Sequence, residues 1–130
     1  MKRAEDALQI GLVNMLRMHG LFVAHAQNGG FARSPQQGKR FKDMGVVAGY
    51  PDLIVHAPGG VTVLIEVKAP PKRLKSGALS KAKATLSEAQ EALHPQLAAM
   101  GIPVLVARDA QSVLSALRNM GVLPQQRRGT

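Results

Sequence analysis

The sequence predicts one α/β domain over residues 1–130, a mixed sheet flanked by helices, and three observations carry that expectation. Residues 49–70, GYPDLIVHAPGGVTVLIEVKAP, hold two short apolar, β-branched runs separated by Pro58, Gly59 and Gly60, the composition of a β-hairpin. Apolar residues recur at helical spacing before and after it, so the patterns follow in the order α-β-β-β-α-β-α. A chain of 130 residues with 45% hydrophobic content suffices for one core and is too short for two. No internal repeat is apparent.

Residues 4–19 read as an amphipathic helix, with Leu8, Leu12, Met15 and Leu16 at helical spacing and Gly20 placed to end it. Glu5 lies three and seven residues before Leu8 and Leu12, which puts it at the edge of the packing face. An acid in a first helical turn is also favoured by the macrodipole alone. Residues 21–27, LFVAHAQ, form a first strand that Asn28-Gly29-Gly30 ends. From there to Gly49 the chain is polar, basic and Gly-rich, and it reads as a long loop of the kind that is usually functional in small domains. It is not a P-loop, because Arg33 and Arg40 stand where that pattern needs Gly and then Ser or Thr.

In the hairpin, a three-residue turn at 58–60 pairs Ala57 with Val61, and the same register carried outward sets Asp52 opposite Glu66. A two-residue turn would shift that pairing by one. Directly opposed side chains have Cβ atoms roughly 5 Å apart, where like charges destabilise the pair unless something compensates them. A divalent cation would do so. Side chains alternate along a strand, so Glu66 and Lys68 share one face while Val61, Val63, Ile65 and Val67 line the other.

Pro70-Pro71-Lys72-Arg73 stops the strand and opens a second basic loop. Two helix starts compete after it: Ser80, and Ser87, whose spacing to Gln90 makes a capping box with Glu88 in the first turn. Pro95 removes a backbone bond from a helix over 88–100 and predicts a kink or break near His94. Gly101 ends that helix, and residues 102–107 make a strongly apolar strand. Asp109 caps a last helix through Val113, Leu114, Leu117 and Met120, and residues 121–130 read as a loose tail.

Seventeen Lys and Arg against eight Asp and Glu, a formal charge of +9, make a polyanion the first partner to consider. The charge is clustered. No acid occurs between Asp6 and Asp43, a span holding Arg17, Arg33, Lys39, Arg40 and Lys42, and none between Val67 and Ser87, a span holding Lys68, Lys72, Arg73, Lys75, Lys81 and Lys83. Charge runs are most often solvated faces; the position of these two on either side of the hairpin favours phosphate contact, with Lys39, Arg40, Lys42, Lys72, Arg73 and Lys75 as the DNA-binding candidates.

The absence of cysteine excludes a disulfide framework and thiolate metal sites, leaving oxygen ligands for a metal. No apolar run approaches a membrane span, and the N-terminus meets acids where a signal peptide needs an apolar core, so a cytoplasmic protein is expected. One Tyr, three Phe and no Trp leave few stacking platforms for a module that reads single-stranded RNA. His19, His25, His56 and His94 show no paired metal-ligand spacing, and each reads as structural or surface.

Pro51-Asp52 followed by Glu66-Val67-Lys68 resembles the PD-(D/E)xK nuclease signature. The surroundings narrow it: Gly38 to Lys42, Gly45, Gly49-Tyr50 before the Pro-Asp pair, Ala69-Pro70 after the lysine, Gly77-Ala78-Leu79-Ser80, Ser87-Glu88-Ala89-Gln90, and Gly101 before the last strand. Together these resemble the VRR-NUC (virus-type replication-repair nuclease) family in its stand-alone form, from Glu5 to about Met120. The resemblance implies a restriction-endonuclease-like αβββαβ core and a metal-dependent endonuclease acting on branched DNA such as four-way junctions. It implies Mg²⁺ or Mn²⁺ held by Asp52, Glu66 and the Val67 backbone carbonyl, completed by Glu5 and Gln90. Asp6 is the alternative to Glu5. The implied catalytic set is Asp52, Glu66, Lys68 and Gln90, with Lys68 kept charged by its acidic neighbours as an electrostatic aid to the attacking water. Junction cleavage needs two active sites and so implies a homodimer.

Three other readings compete. One treats Glu66 and Lys68 as a surface ion pair along a strand and Asp52 as a turn residue after Pro51. Another is a non-catalytic DNA-binding module that keeps the fold and the basic loops. A ribosomal-type RNA-binding protein fits the charge but leaves the carboxylate pair unexplained.

Overall fold

A computed structural model describes residues 3–26, 32–69, 75–78 and 85–125. Its middle layer is a four-stranded sheet in the order β1-β2-β3-β4, made of β1 (Phe22–His25), β2 (Leu53–Ala57), β3 (Val61–Val67) and β4 (Val104–Ala107). β1 with β2 and β2 with β3 are antiparallel, and β3 with β4 is parallel. A parallel neighbour requires a crossover, and the helix α3 (Glu88–Ala99) lies on it. The mixed sheet with its flanking helices is the restriction-endonuclease-like α/β fold that the sequence predicts.

The register of the hairpin is the one counted from the sequence. Ala57 pairs with Val61 and Leu53 with Ile65, so one further step outward sets Asp52 against Glu66. Gly59 and Gly60, with φ of 85° and 77°, supply the left-handed backbone of the turn between them, a conformation that side chains oppose.

Alternation along β3 separates two packing faces. Val63, Ile65 and Val67 join Leu12 and Leu16 of α1 (Arg3–Met18) and Val113 and Leu117 of α4 (Ala110–Asn119) in the main core. Burying each such Leu side chain is worth about 1.5–3 kcal/mol, which is why the apolar stripe of α1 fixes that helix to the sheet. Leu64 and Glu66 point to the opposite face and are buried too, at 1% and 3% exposure. A carboxylate thus occupies a position that the strand pattern would give to an aliphatic side chain.

Three expectations are corrected. The stretch predicted as a loop before Gly49 contains a helix, α2 (Pro35–Asp43), which Ser34 caps through its side chain with Pro35 in the first turn. It has no buried residue, so it lacks the apolar stripe by which a helix is read from sequence. The predicted break at Pro95 does not occur, and α3 is one continuous helix. Pro95 and Glu91 are both exposed, so water can reach the carbonyl deprived of its donor. The stretch expected as a loose tail from 121 is packed at its start, because Leu123 is buried in the core and Val122 packs against it; residues 126–130 lie outside the described residues.

The other termini agree with their signals: Ser87 forms the full capping box and Asp109 caps α4. The competing start at Ser80, with Lys72, Arg73, Lys81 and Lys83, lies outside the described residues. Among the described residues no helix is long and apolar enough to cross a membrane.

Candidate active site

Four elements bring their polar groups to the end of the hairpin away from its turn. Asp52 precedes β2, and its backbone carbonyl accepts from the Ala26 N–H at 2.8 Å and from the His25 ring at 2.9 Å, which pins its position between β1 and β3. Its side-chain Oδ2 accepts the Val67 N–H at 2.8 Å across the strand pair. Glu66, one residue back on β3, stands against the same carboxylate.

Burial and Asp52 together set the state of Glu66. Desolvation, a hydrogen bond with the Asp52 side chain, and the charge of Asp52 push the Glu66 carboxyl from 4.5 up to about 8. Glu5 on α1 adds to the rise, and Lys68 opposes it. Two carboxyl groups share a hydrogen bond only when one keeps its proton, so the pair holds a proton in place of a second charge. Glu5 is half-buried and its charge is felt at Glu66, whereas Asp6 is exposed.

Lys68 continues β3 beyond Glu66. Its backbone N–H donates to the Ala107 carbonyl at 2.9 Å, which anchors the strand end to β4. Its ammonium donates to Gln90 Oε1 at 2.9 Å. The same oxygen accepts the Ser87 N–H at 2.8 Å, and Ser87 Oγ accepts the Gln90 N–H at 3.2 Å. The capping box is therefore the mount of Gln90 as well as the start of α3, and it holds the Gln90 side chain beside Lys68.

Gly49 joins the hairpin to α3. Its φ is +81°, and a Cβ there would lie 2.6 Å from the Ala89 carbonyl carbon and 2.8 Å from the Gln90 nitrogen. Backbone thus meets backbone, with no room for a side chain.

His94, set aside by the sequence reading as structural or surface, belongs to this cluster. It is buried on α3, with its Nε2 4.0 Å from Glu66 Oε1. Neither atom has a hydrogen-bond partner. Desolvation and the charge of Lys68 lower the His94 pKa, against a raising contribution from a hydrogen bond to the Gly49 backbone. The signal was present in the sequence. His94 lies four residues after Gln90 and so one turn further along the same helix face.

Among the described residues no three His, Asp or Glu side chains already close on one point as a metal cage would. They form a row instead, with Glu66 in the middle, Asp52 on one side and His94 on the other. Hard carboxylate oxygens, one of them buried and unpartnered, fit a divalent cation of the Mg²⁺ or Mn²⁺ class. A group of that charge would replace the proton that Glu66 now retains.

The other basic candidates among the described residues are exposed. Lys39, Arg40 and Lys42 project from α2 and are exposed, with Lys39 paired to Asp43 at 3.0 Å. Lys75 is exposed. A cavity of about 720 Å³ lies at the turn end of the hairpin, between Pro58, Val61, Ile102, Pro103, Met120 and Val122. It holds no titratable side chain; the buried carboxyl, the lysine and His94 lie at the opposite end of the sheet.

A solved structure described as a VRR_NUC domain protein superposes on this chain with a TM-score of 0.61 and 25% identity, over 89% of this chain and 86% of that one. This chain has the VRR-NUC fold. No family model and no curated protein matches the sequence. In this fold the paired carboxylates, the lysine and the capped glutamine occupy one end of the sheet, Asp52 from the entry to β2, Glu66 and Lys68 from the end of β3 and Gln90 from α3.

Proposed function

We propose that this VRR-NUC domain is a metal-dependent endodeoxyribonuclease that hydrolyses phosphodiester bonds in branched DNA. The observation that carries the reading is the Asp52–Glu66 pair, two opposed carboxylates with one buried and unpartnered oxygen, beside the Lys68 ammonium. Fold stability gives no reason to bury such a pair; apolar side chains at both positions would serve better.

Asp52 and Glu66 would hold Mg²⁺ or Mn²⁺ with the Val67 carbonyl, and Glu5 and Gln90 would complete the site directly or through water. The cation supplies charge neutralisation at the phosphoryl oxygens and activation of water. Lys68 places a positive charge beside the reacting phosphate, and Gln90, fixed by Ser87, holds that ammonium in place. The exposed cations of α2 and Lys75 contact the DNA backbone, a sequence-independent and salt-sensitive interaction. Cutting both strands of a junction calls for two such sites, hence a homodimer.

The test is cleavage of a labelled four-way junction and a matched linear duplex with Mg²⁺, Mn²⁺ or EDTA, by wild type and Lys68→Ala. Metal-dependent cutting that the variant loses is the expected result, and the junction-to-duplex ratio reports the substrate class. Binding of both DNAs with cleavage of neither, in either metal, would replace this reading with that of a non-catalytic DNA-binding module.

A further inference from the structure

We infer that His94 Nε2 is a ligand of the divalent cation, paired with Glu66 Oε1, and that this nitrogen donor makes the site select a Mn²⁺-class ion over Mg²⁺. The inference rests on the metal-dependent reading above and adds a residue and a selectivity to it.

Two buried atoms, Glu66 Oε1 and His94 Nε2, face each other across 4.0 Å with no partner for either. That gap is too long for a hydrogen bond. The Gly49 backbone bonds to the His94 ring, and since Nε2 has no partner, that bond belongs to Nδ1. With Nδ1–H donating to that backbone carbonyl, Nε2 would present its lone pair to the carboxyl oxygen. Two electron-rich atoms aimed at each other in a desolvated space call for a positive group between them.

At ligand bonds of about 2.1 Å, trans ligands stand about 4.2 Å apart and cis ligands about 3.0 Å, so the 4.0 Å gap is close to a trans pair and would become a cis pair by an approach of about 1 Å between the two side chains. The surrounding structure is that of a metal-binding imidazole, whose other ring nitrogen is held by a carbonyl that fixes tautomer and orientation. Gly49 serves this purpose from a backbone position that no other residue could occupy. Imidazole raises affinity for Mn²⁺ and later divalent metals much more than for Mg²⁺, which prefers oxygen and retained water.

The experiment is pulsed electron paramagnetic resonance of the full chain loaded with MnCl₂ alone, which reports a directly bonded ¹⁴N without any turnover. Wild type should show an imidazole coupling that changes to the ¹⁵N pattern on ¹⁵N-histidine labelling, and His94→Gln should lose it. Mn²⁺ affinity in that variant should fall by at least about tenfold, with Mg²⁺ affinity, read by competition, changed less. The triple variant His19→Asn, His25→Asn, His56→Asn should keep the coupling, which assigns it to His94 even if His94→Gln fails to fold.

Mn²⁺ bound through Asp52 and Glu66 with no nitrogen coupling in wild type would overturn the inference and leave the nuclease reading standing. A coupling that disappears in the triple variant would overturn it in the same way. No Mn²⁺ binding that Asp52→Asn abolishes would remove both.

Discussion

Replacing Glu66 with Gln removes the charge that the fold resists and keeps the side chain's shape. The Glu66 carboxyl has a folded pKa of about 8 against 4.5 when exposed. Between those values the unfolded chain has released the proton while the folded chain keeps it, so stability falls as pH rises and levels off above pH 8. Each unit is worth about 1.36 kcal/mol, so the metal-free wild type should lose roughly 2 to 3 kcal/mol between pH 6 and pH 9 through this one group. Glu66→Gln lacks that loss. For a domain of this size the difference corresponds to roughly 8–12 °C in Tm.

The assay is thermal unfolding of both proteins in EDTA across pH 6 to 9, repeated with saturating Mn²⁺. Burial and the charge of Lys68 lower the His94 pKa, and both proteins carry that histidine, so the comparison isolates Glu66. The variant should be the more stable protein at pH 9 in EDTA and should gain little from Mn²⁺, while wild type should gain most of its deficit back. Parallel pH profiles for the two proteins in EDTA would refute the reasoning, because they would mean that Glu66 ionises in the folded state as easily as in water.

Three further outcomes are expected. Lys68→Ala should lower the cleavage rate by at least about 100-fold with Tm nearly unchanged, measured by single-turnover cleavage and calorimetry. Gly49→Ala should cost about 1–3 kcal/mol from the positive φ and the clash with the first turn of α3, and should weaken Mn²⁺ binding as Gln90 and His94 move; an unchanged denaturant midpoint would refute the close contact. Ser87→Ala should remove about 1 kcal/mol by loss of the cap and reduce activity through the displaced Gln90, whereas Asp109→Ala, a cap of similar worth on α4, should lower stability alone.

The hairpin was legible because its signals agree. Two β-branched runs, a Pro-Gly-Gly turn and one burial pattern all demand the register that places Asp52 against Glu66. Helices α1 and α4 were equally plain, both carrying an apolar stripe, with Gly20 to end the first and Asp109 to cap the second. α2 escaped because it buries nothing and is held by its Ser34-Pro35 start, a local signal without periodicity to support it. Pro95 misled for a related reason: its cost depends on whether the freed carbonyl meets solvent, which only the packing of α3 decides. His94 carries no ligand spacing along the chain, because Glu66 lies on another element and becomes its neighbour only when α3 packs on the sheet.

The site draws on α1, the entry to β2, the end of β3 and the first two turns of α3, so residues 5 and 94 must both be in place before it exists. Under the proposed function, then, no cutting centre would form before residue 94 had been made, and β4 and α4 would still have to pack to hold β3. Fragments lacking any of these elements would not cleave. The wide separation of these few side chains along the polypeptide would thus couple cleavage to folding of the domain.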